Sequence, residues 1–191
     1  MTQAGAGPSP DLAELIEQLA SQDAAQRDAA ALALYSAGRT LAESATAAWR
    51  EDPEFQCLVC GAPTVGIAVP PELFECIRDA AGRPPLADVP AEQSTQEFEL
   101  HIAGAQLDVL TPIAGSGAIG RFLERFGPGI QQVEFAVQDV DHVVRLLASR
   151  FGAQPVYPET HQGANNTRMN FFLVSGPAGR KVLIEFFEQP Q

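Results

Sequence analysis

TVGIAV at residues 64–69 and QVEFAV at residues 132–137 set how this chain folds. Apolar side chains alternate with others in both: Val65, Ile67 and Val69, then Val133, Phe135 and Val137. Period-two alternation marks a strand with one buried face. The letters also agree, VGIAV against VEFAV. The residues after each stretch repeat a pattern as well. Residues 71–80 carry Leu73, Phe74 and Ile77, and residues 139–151 carry Val143, Val144, Leu146 and Leu147, both at helical spacing. Strands are expected next at 97–102 and 106–110. In the second half they are expected at 168–174 and 182–188, with Val156 opening a further short one. Between the halves, Ile119, Phe122, Leu123 and Phe126 trace a linking helix that Gly127-Pro128-Gly129 stops. The simplest account is an α+β domain over residues 62–190. Two βαβββ modules form one mixed sheet, with helices on its convex side and a cleft on the other.

Upstream, residues 1–55 read as a helical segment preceded by a loose tail of about eight residues. Leu12, Leu15, Ile16 and Leu19 form one apolar stripe, with Ser9 as cap and Pro10 at the first helical position. A second helix opens at Asp23, with Gln26 suited to the reciprocal capping bond, and is expected to end at Gly38. Thr40 and Glu43 suggest a third helix to about Arg50, which Asp52-Pro53 should end. One such helical pair cannot bury its own stripe. It therefore needs the rest of the chain, a second copy or a protein partner.

The chain has 191 residues, 46% of them hydrophobic, so it can bury a substantial core. Its formal net charge is −12. That surface repels phosphate backbones and anionic lipid, which argues against nucleic-acid and membrane roles. Three cysteines are too few for a disulfide framework, and a cytoplasmic setting is expected. Cys57 and Cys60 form a C-x-x-C without a second pair, and read as packed thiols.

Alternation then maps the cleft. Opposite the apolar faces stand Thr64, Gly66 and Ala68; Glu97, Glu99 and His101; Asp108 and Leu110; Gln132 and Glu134; Arg168 and Asn170; and Glu185 and Phe187. Several carboxylates in one hollow need a cation, a hydrogen-bond partner or a retained proton. The polar loop at 161–167, holding His161, Asn165 and Asn166, reads equally as a lid or as an ordinary hairpin loop.

The segments AIGRFLERFGPGIQQVEFAVQDVDHVVRLLASRFG, NNTRMNFFLVSGPAGRKVLIEF and PAEQSTQEF resemble the vicinal oxygen chelate superfamily of glyoxalases and bleomycin-resistance proteins, nearest to the methylmalonyl-CoA epimerases. LIEQLASQDAAQRDAAALALYSAG resembles a single HEAT-like repeat. The superfamily resemblance implies a divalent metal at the positions of Thr64, Asp108, Gln132 and Glu185. It also implies a proton-transferring base at Glu97, aided by Glu185. The family usually has His at the positions of Thr64 and Gln132, and Gln or Glu at that of Asp108. The oxygen-only set here suits Mg, Mn or Ca better than Zn. His101, Glu134, Arg168 and Asn170 are the expected substrate contacts. The lost imidazoles weigh toward a small-molecule binder or divergent enzyme. The alternative is a metal-assisted epimerase acting on a small acyl or 2-oxo/hydroxy acid. A homodimer is a further expectation.

Overall fold

The computed structural model describes residues 11–113, 117–176 and 181–190. Its elements are α1 (Leu12–Gln18), α2 (Ala24–Ala45), α3 (Ala47–Arg50), α4 (Pro53–Leu58), β1 (Val59–Ala68), α5 (Pro71–Ala80), β2 (Thr95–Ile102) and β3 (Ala105–Pro112). They continue with α6 (Gly117–Phe126), β4 (Gly129–Val137), α7 (Val140–Phe151), β5 (His161–Gln162), β6 (Arg168–Ser175) and β7 (Lys181–Glu188). The strands make one mixed sheet in the order β2-β3-β1-β4-β7-β6-β5.

The internal duplication is visible in the pairing. In the first half β1 runs parallel to β3 with Gly66 opposite Asp108. In the second, β4 runs parallel to β7 with Glu134 opposite Glu185. Hairpins β2–β3 and β6–β7 complete the halves. The halves join antiparallel through β1 and β4, where Thr64 faces Glu134 and Gly66 faces Gln132. Val65 thus corresponds to Val133, Gly66 to Glu134, and Asp108 to Glu185. The strand before each hairpin is short. In the second half it is β5, with an isolated bridge from Pro155 to Phe172 beside it. In the first it is an extended stretch whose Ala87 N–H donates to the Glu97 carbonyl at 3.0 Å.

The core lies on the helix side of the sheet. Val65, Ile67, Phe98, Leu107, Val109, Val133, Ile184 and Phe186 are buried there against Phe74 and Ile77 of α5 and Val143 and Leu147 of α7. The amino-terminal helices join this same core. Leu15, Ile16, Leu19, Ala30, Ala31 and Leu34 are buried in it, so the apolar stripe is covered within the chain. Each large side chain buried this way contributes roughly 1.5–3 kcal/mol. Trp49 and Phe55 pack edge-on against Phe172 and Phe186, at 5.7 Å and 5.8 Å between ring centroids. Arg150 on α7 reaches back to Asp52 at 2.5 Å and also pairs with Glu54. Among the described residues no helix is long and apolar enough to cross a membrane.

The helical boundaries differ from the sequence expectation in two places. Asp11 caps α1, accepting from the Ala13 N–H at 3.1 Å, while the expected cap Ser9 and the loose tail lie outside the described residues. α2 does not end at Gly38 but runs on to Ala45. The Thr40 hydroxyl donates back to the Ser36 carbonyl at 2.9 Å, and Glu43 pairs with Arg39, so no capping box forms. Gly38 serves the interface instead. A Cβ there would stand 2.5 Å from Val65 Cγ1, so only glycine lets α2 lie this close to β1. Asp23 and Asp52 do cap, at α2 and α4. The three cysteines are free and exposed, so Cys57 and Cys60 are not the packed thiols expected from the sequence.

Candidate functional site

Residues directly opposite one another in a ladder share a sheet face. One row therefore runs across the sheet from Glu99 to Asp108, Gly66 and Gln132. A second runs from Thr64 to Glu134, Glu185 and Phe171. Both rows point away from α5 and α7 and line one cleft of about 600 Å³. Leu110 and Glu97, opposite each other on β3 and β2, line it too. α6 crosses the same face, with Ile119 packed on Ala68 and Leu110. Gly66 makes room at the centre, since a Cβ there would come within 2.6 Å of Gln132 Cγ and 3.2 Å of Glu134 Oε1.

The cleft is strongly acidic. Glu92, Glu97, Glu99, Asp108, Glu134 and Glu185 line it, and Arg121 is the one cation among its described lining residues. Burial is the main force on these carboxyls, because an ionised group loses hydration there. It pushes Glu97 up to about 7, reinforced by the charges of Glu134 and Glu99. Glu134 is also pushed up to about 7 by burial, opposed by its bond from Gln132. Asp108 and Glu185 lie well above the usual carboxylate range, through burial and the surrounding carboxylates. The Gln132 amide links two of the group, donating to Glu134 Oε1 at 3.0 Å and Glu185 Oε2 at 2.8 Å. Asp108 Oδ1 is buried without a hydrogen-bond partner among the described residues.

The structure brings Thr64, Glu97, Asp108, Gln132, Glu134 and Glu185 together, as alternation predicts. It does not bring His101, Arg168 or Asn170 to them. Both faces of β6 are mixed in character, and the ladder to β7 settles which points inward. Phe171 stands opposite Glu185, while Asn170 stands opposite the buried Phe186. Met169, Phe171 and Leu173 therefore line the cleft. Arg168 pairs outside it with Asp141 at 2.5 Å and Glu188 at 3.2 Å. Asn170 is spent on the backbone, accepting from Phe171 N at 2.8 Å and donating to the Tyr157 carbonyl at 3.1 Å. His101 shares the parity of Glu97 but sits near the exposed end of β2, 3.4 Å from Glu99.

Sequence reasoning missed Arg121, Tyr157 and Phe171 as cleft residues. The signal for Arg121 was present: it lies off the apolar stripe of the linking helix. The 161–167 loop does reach the cleft, through Gly163, Ala164, Asn165 and Thr167. Asn165 is held to the opposite half. Its N–H donates to the Asp88 carbonyl at 2.8 Å, and its side-chain oxygen accepts from Asp88 N at 3.0 Å.

The four positions that the resemblance assigns to a metal all line the cleft, yet their arrangement is not a ready coordination shell. Neither Thr64 nor Gln132 supplies an imidazole, and the Gln132 N–H groups occupy Glu134 and Glu185. Among the described residues no three His, Cys, Asp or Glu side chains group as metal ligands. The residues as arranged do not fit a tightly held divalent ion.

No protein-family model matches the sequence, and no curated protein does. Solved structures do match. Methylmalonyl-CoA epimerase from Mycobacterium tuberculosis is 34% identical, with a TM-score of 0.57, over 70% of this chain and 91% of that one. The chain belongs to the vicinal oxygen chelate superfamily. A variant of the Streptomyces coelicolor methylmalonyl-CoA epimerase, in complex with 2-nitronate-propionyl-CoA, is 26% identical over 69% of this chain and 95% of its own, with a TM-score of 0.57. The vicinal oxygen chelate domain is the sheet of seven strands with its helices, and the acidic cleft is its concave face.

Proposed function

We propose that this chain is an epimerase-type enzyme that moves a proton at the carbon next to the carbonyl of a small acyl substrate. The observation that carries the reading is the pair Glu97 and Glu134, one from each half, both pushed up to about 7 in one cleft. A carboxyl titrating near neutrality exchanges protons with a weak carbon acid far better than one at its ordinary value. Glu97 takes the proton, and Glu134 supplies the matching group from the second half. Glu185, which burial keeps protonated, donates a hydrogen bond to the carbonyl oxygen as negative charge grows there. No step uses a metal. If a divalent ion enters, the oxygen donors of Thr64, Asp108, Gln132 and Glu185 favour Mg, Mn or Ca over Zn. The similarity to methylmalonyl-CoA epimerases supports the reaction class. The cytoplasm is the proposed setting, on the acidic, cysteine-poor composition.

A second reading rests on Gln132. Because its amide ties up both Glu134 and Glu185, the cleft also suits a protein that captures its ligand without chemistry. The two are separated by following the optical activity of single-enantiomer acyl thioesters that carry a carboxylate, an ammonium group or only alkyl groups next to the carbonyl. Racemisation that requires Glu97 supports the enzyme. Binding of these compounds without racemisation supports the capture role.

A further inference from the structure

We infer that Gln131 is a specificity-determining residue of the cleft: its side-chain carbonyl receives the hydroxyl of a 2-hydroxyacyl substrate. The inference rests on the acyl-substrate reading proposed above and adds the group carried by the carbon next to the carbonyl.

A regular strand turns consecutive side chains to opposite faces. Gln131 and Gln132 are consecutive on β4, yet both line the cleft. The ladder to β1 shows how. Gln132 stands opposite Gly66 and Ile130 opposite Ile67, with a register shift between the two pairs. Three residues of β4 therefore face two of β1. Gln131 is the extra one, a β-bulge that turns its side chain inward. Bulges re-aim side chains in this way beside active sites.

The inward turn leaves Gln131 Oε1 buried with no hydrogen-bond partner among the described residues. Its surroundings on the sheet are apolar. Gly129 stands opposite Ala68, and Ile119 of α6 packs on Ala68 and Leu110. The neighbouring Gln132 amide donates to Glu134 and Glu185 instead. A buried carbonyl left unpaired costs free energy that an apolar side chain of similar size would not. The position therefore suits a ligand that arrives with its own donor. Gln131 adjoins Gln132, which holds Glu134 and Glu185, so that donor belongs on or beside the reacting carbon. A hydroxyl there donates to Oε1 and brings no charge into a cleft lined by carboxyls. An alkyl group in its place would leave the oxygen unpaired, and a site built around a substrate hydroxyl discriminates against such an analogue.

The test has two parts on the intact chain. The first is NMR titration with three unreactive probes of matched shape: N,N-dimethyllactamide, which offers a hydroxyl; N-methylisobutyramide, which offers an amide N–H; and N,N-dimethylisobutyramide, which offers neither. The hydroxyl probe should bind about tenfold more tightly than the donor-free probe, and more tightly than the N–H probe. Gln131→Met should bring all three level. The second part is thermal unfolding without ligand, where Gln131→Met should raise Tm by a degree or more, because it removes the unpaired carbonyl. A glutamine that served only the fold would give a lower Tm in that variant. Equal binding of the hydroxyl and donor-free probes to wild-type protein would overturn the inference. So would a preference for the N–H probe, or a lower Tm in Gln131→Met. The wild-type comparison decides the matter even where the variant does not fold. Both parts read binding and stability without turnover, so their failure leaves the proton-transfer role of Glu97 to its own measurement.

Discussion

The amide of Gln132 donates to Glu185 Oε2 at 2.8 Å, at the seam where the two halves of the sheet meet. An imidazole at position 132, where the superfamily usually has one, would offer a metal a lone pair. The amide instead offers N–H groups to carboxyls, and the cleft becomes a network of hydrogen-bonded acids.

Restoring the imidazoles should reverse this. The double variant Thr64→His/Gln132→His places two nitrogen ligands beside Asp108 and Glu185. It should bind Co²⁺ or Zn²⁺ more tightly than the natural chain does, read as cobalt absorption and metal content after dialysis. Wild-type stability should be unaffected by chelator.

Stability should fall as pH rises through neutrality. Glu97 and Glu134 are each raised from 4.5 to about 7. Between those values the folded chain holds more protons than the unfolded one, so their contribution is full below about 4.5 and is lost as pH passes 7. The two together amount to a few kcal/mol at most, so Tm at pH 8 should lie several degrees below Tm at pH 5.5. Asp141, held low by Thr160 and Arg168, is ionised across this window and does not offset the loss. Asp108 and Glu185, also raised by burial, keep part of the slope, so Glu97→Gln/Glu134→Gln should make the profile shallower.

Gly38→Ala should destabilise the chain, although alanine is usually favoured over glycine in a helix by about 1 kcal/mol. The added carbon would meet Val65 at 2.5 Å in a closely packed layer. A net loss of roughly 1–3 kcal/mol in denaturant unfolding is expected, and pairing the change with Val65→Ala should recover part of it.

Asn165→Ala removes the side-chain bond to Asp88 that links the 163–166 turn to the first half. Asn165 also sits at a φ of 52°, a left-handed conformation that asparagine tolerates better than alanine. Amide hydrogen exchange at residues 161–167 should therefore speed up, with that of the β1–β4 pair unchanged.

Most of the fold was legible in the sequence because alternation and helical spacing are local signals. VGIAV and VEFAV predicted both the strands and their equivalence, and the ladder pairs Gly66 with Asp108 as it pairs Glu134 with Glu185. Gly38 was misread because a helix stop and a close helix–sheet contact select the same residue, and only the position of Val65 tells them apart. Arg168 and Asn170 were misplaced because β6 alternates between two mixed faces, so only its partner β7 fixes which one looks inward. That Asp108 Oδ1 finds no hydrogen-bond partner among the described residues was not legible, since it depends on where Gln132, His101 and Arg168 each find theirs.

If Glu97 moves a proton at the carbon beside an acyl carbonyl, that carbon must exchange its hydrogen with solvent. Mass spectrometry of acyl thioesters incubated in heavy water reads this exchange, with carboxylate-, ammonium- and alkyl-substituted members compared in wild-type protein and in Glu97→Gln. Deuterium should enter at least one of them well above the buffer rate, and the variant should lower that rate by about 10²–10⁴-fold while remaining folded. Exchange at the buffer rate in every member, or an undiminished rate in the variant, would refute the role given to Glu97.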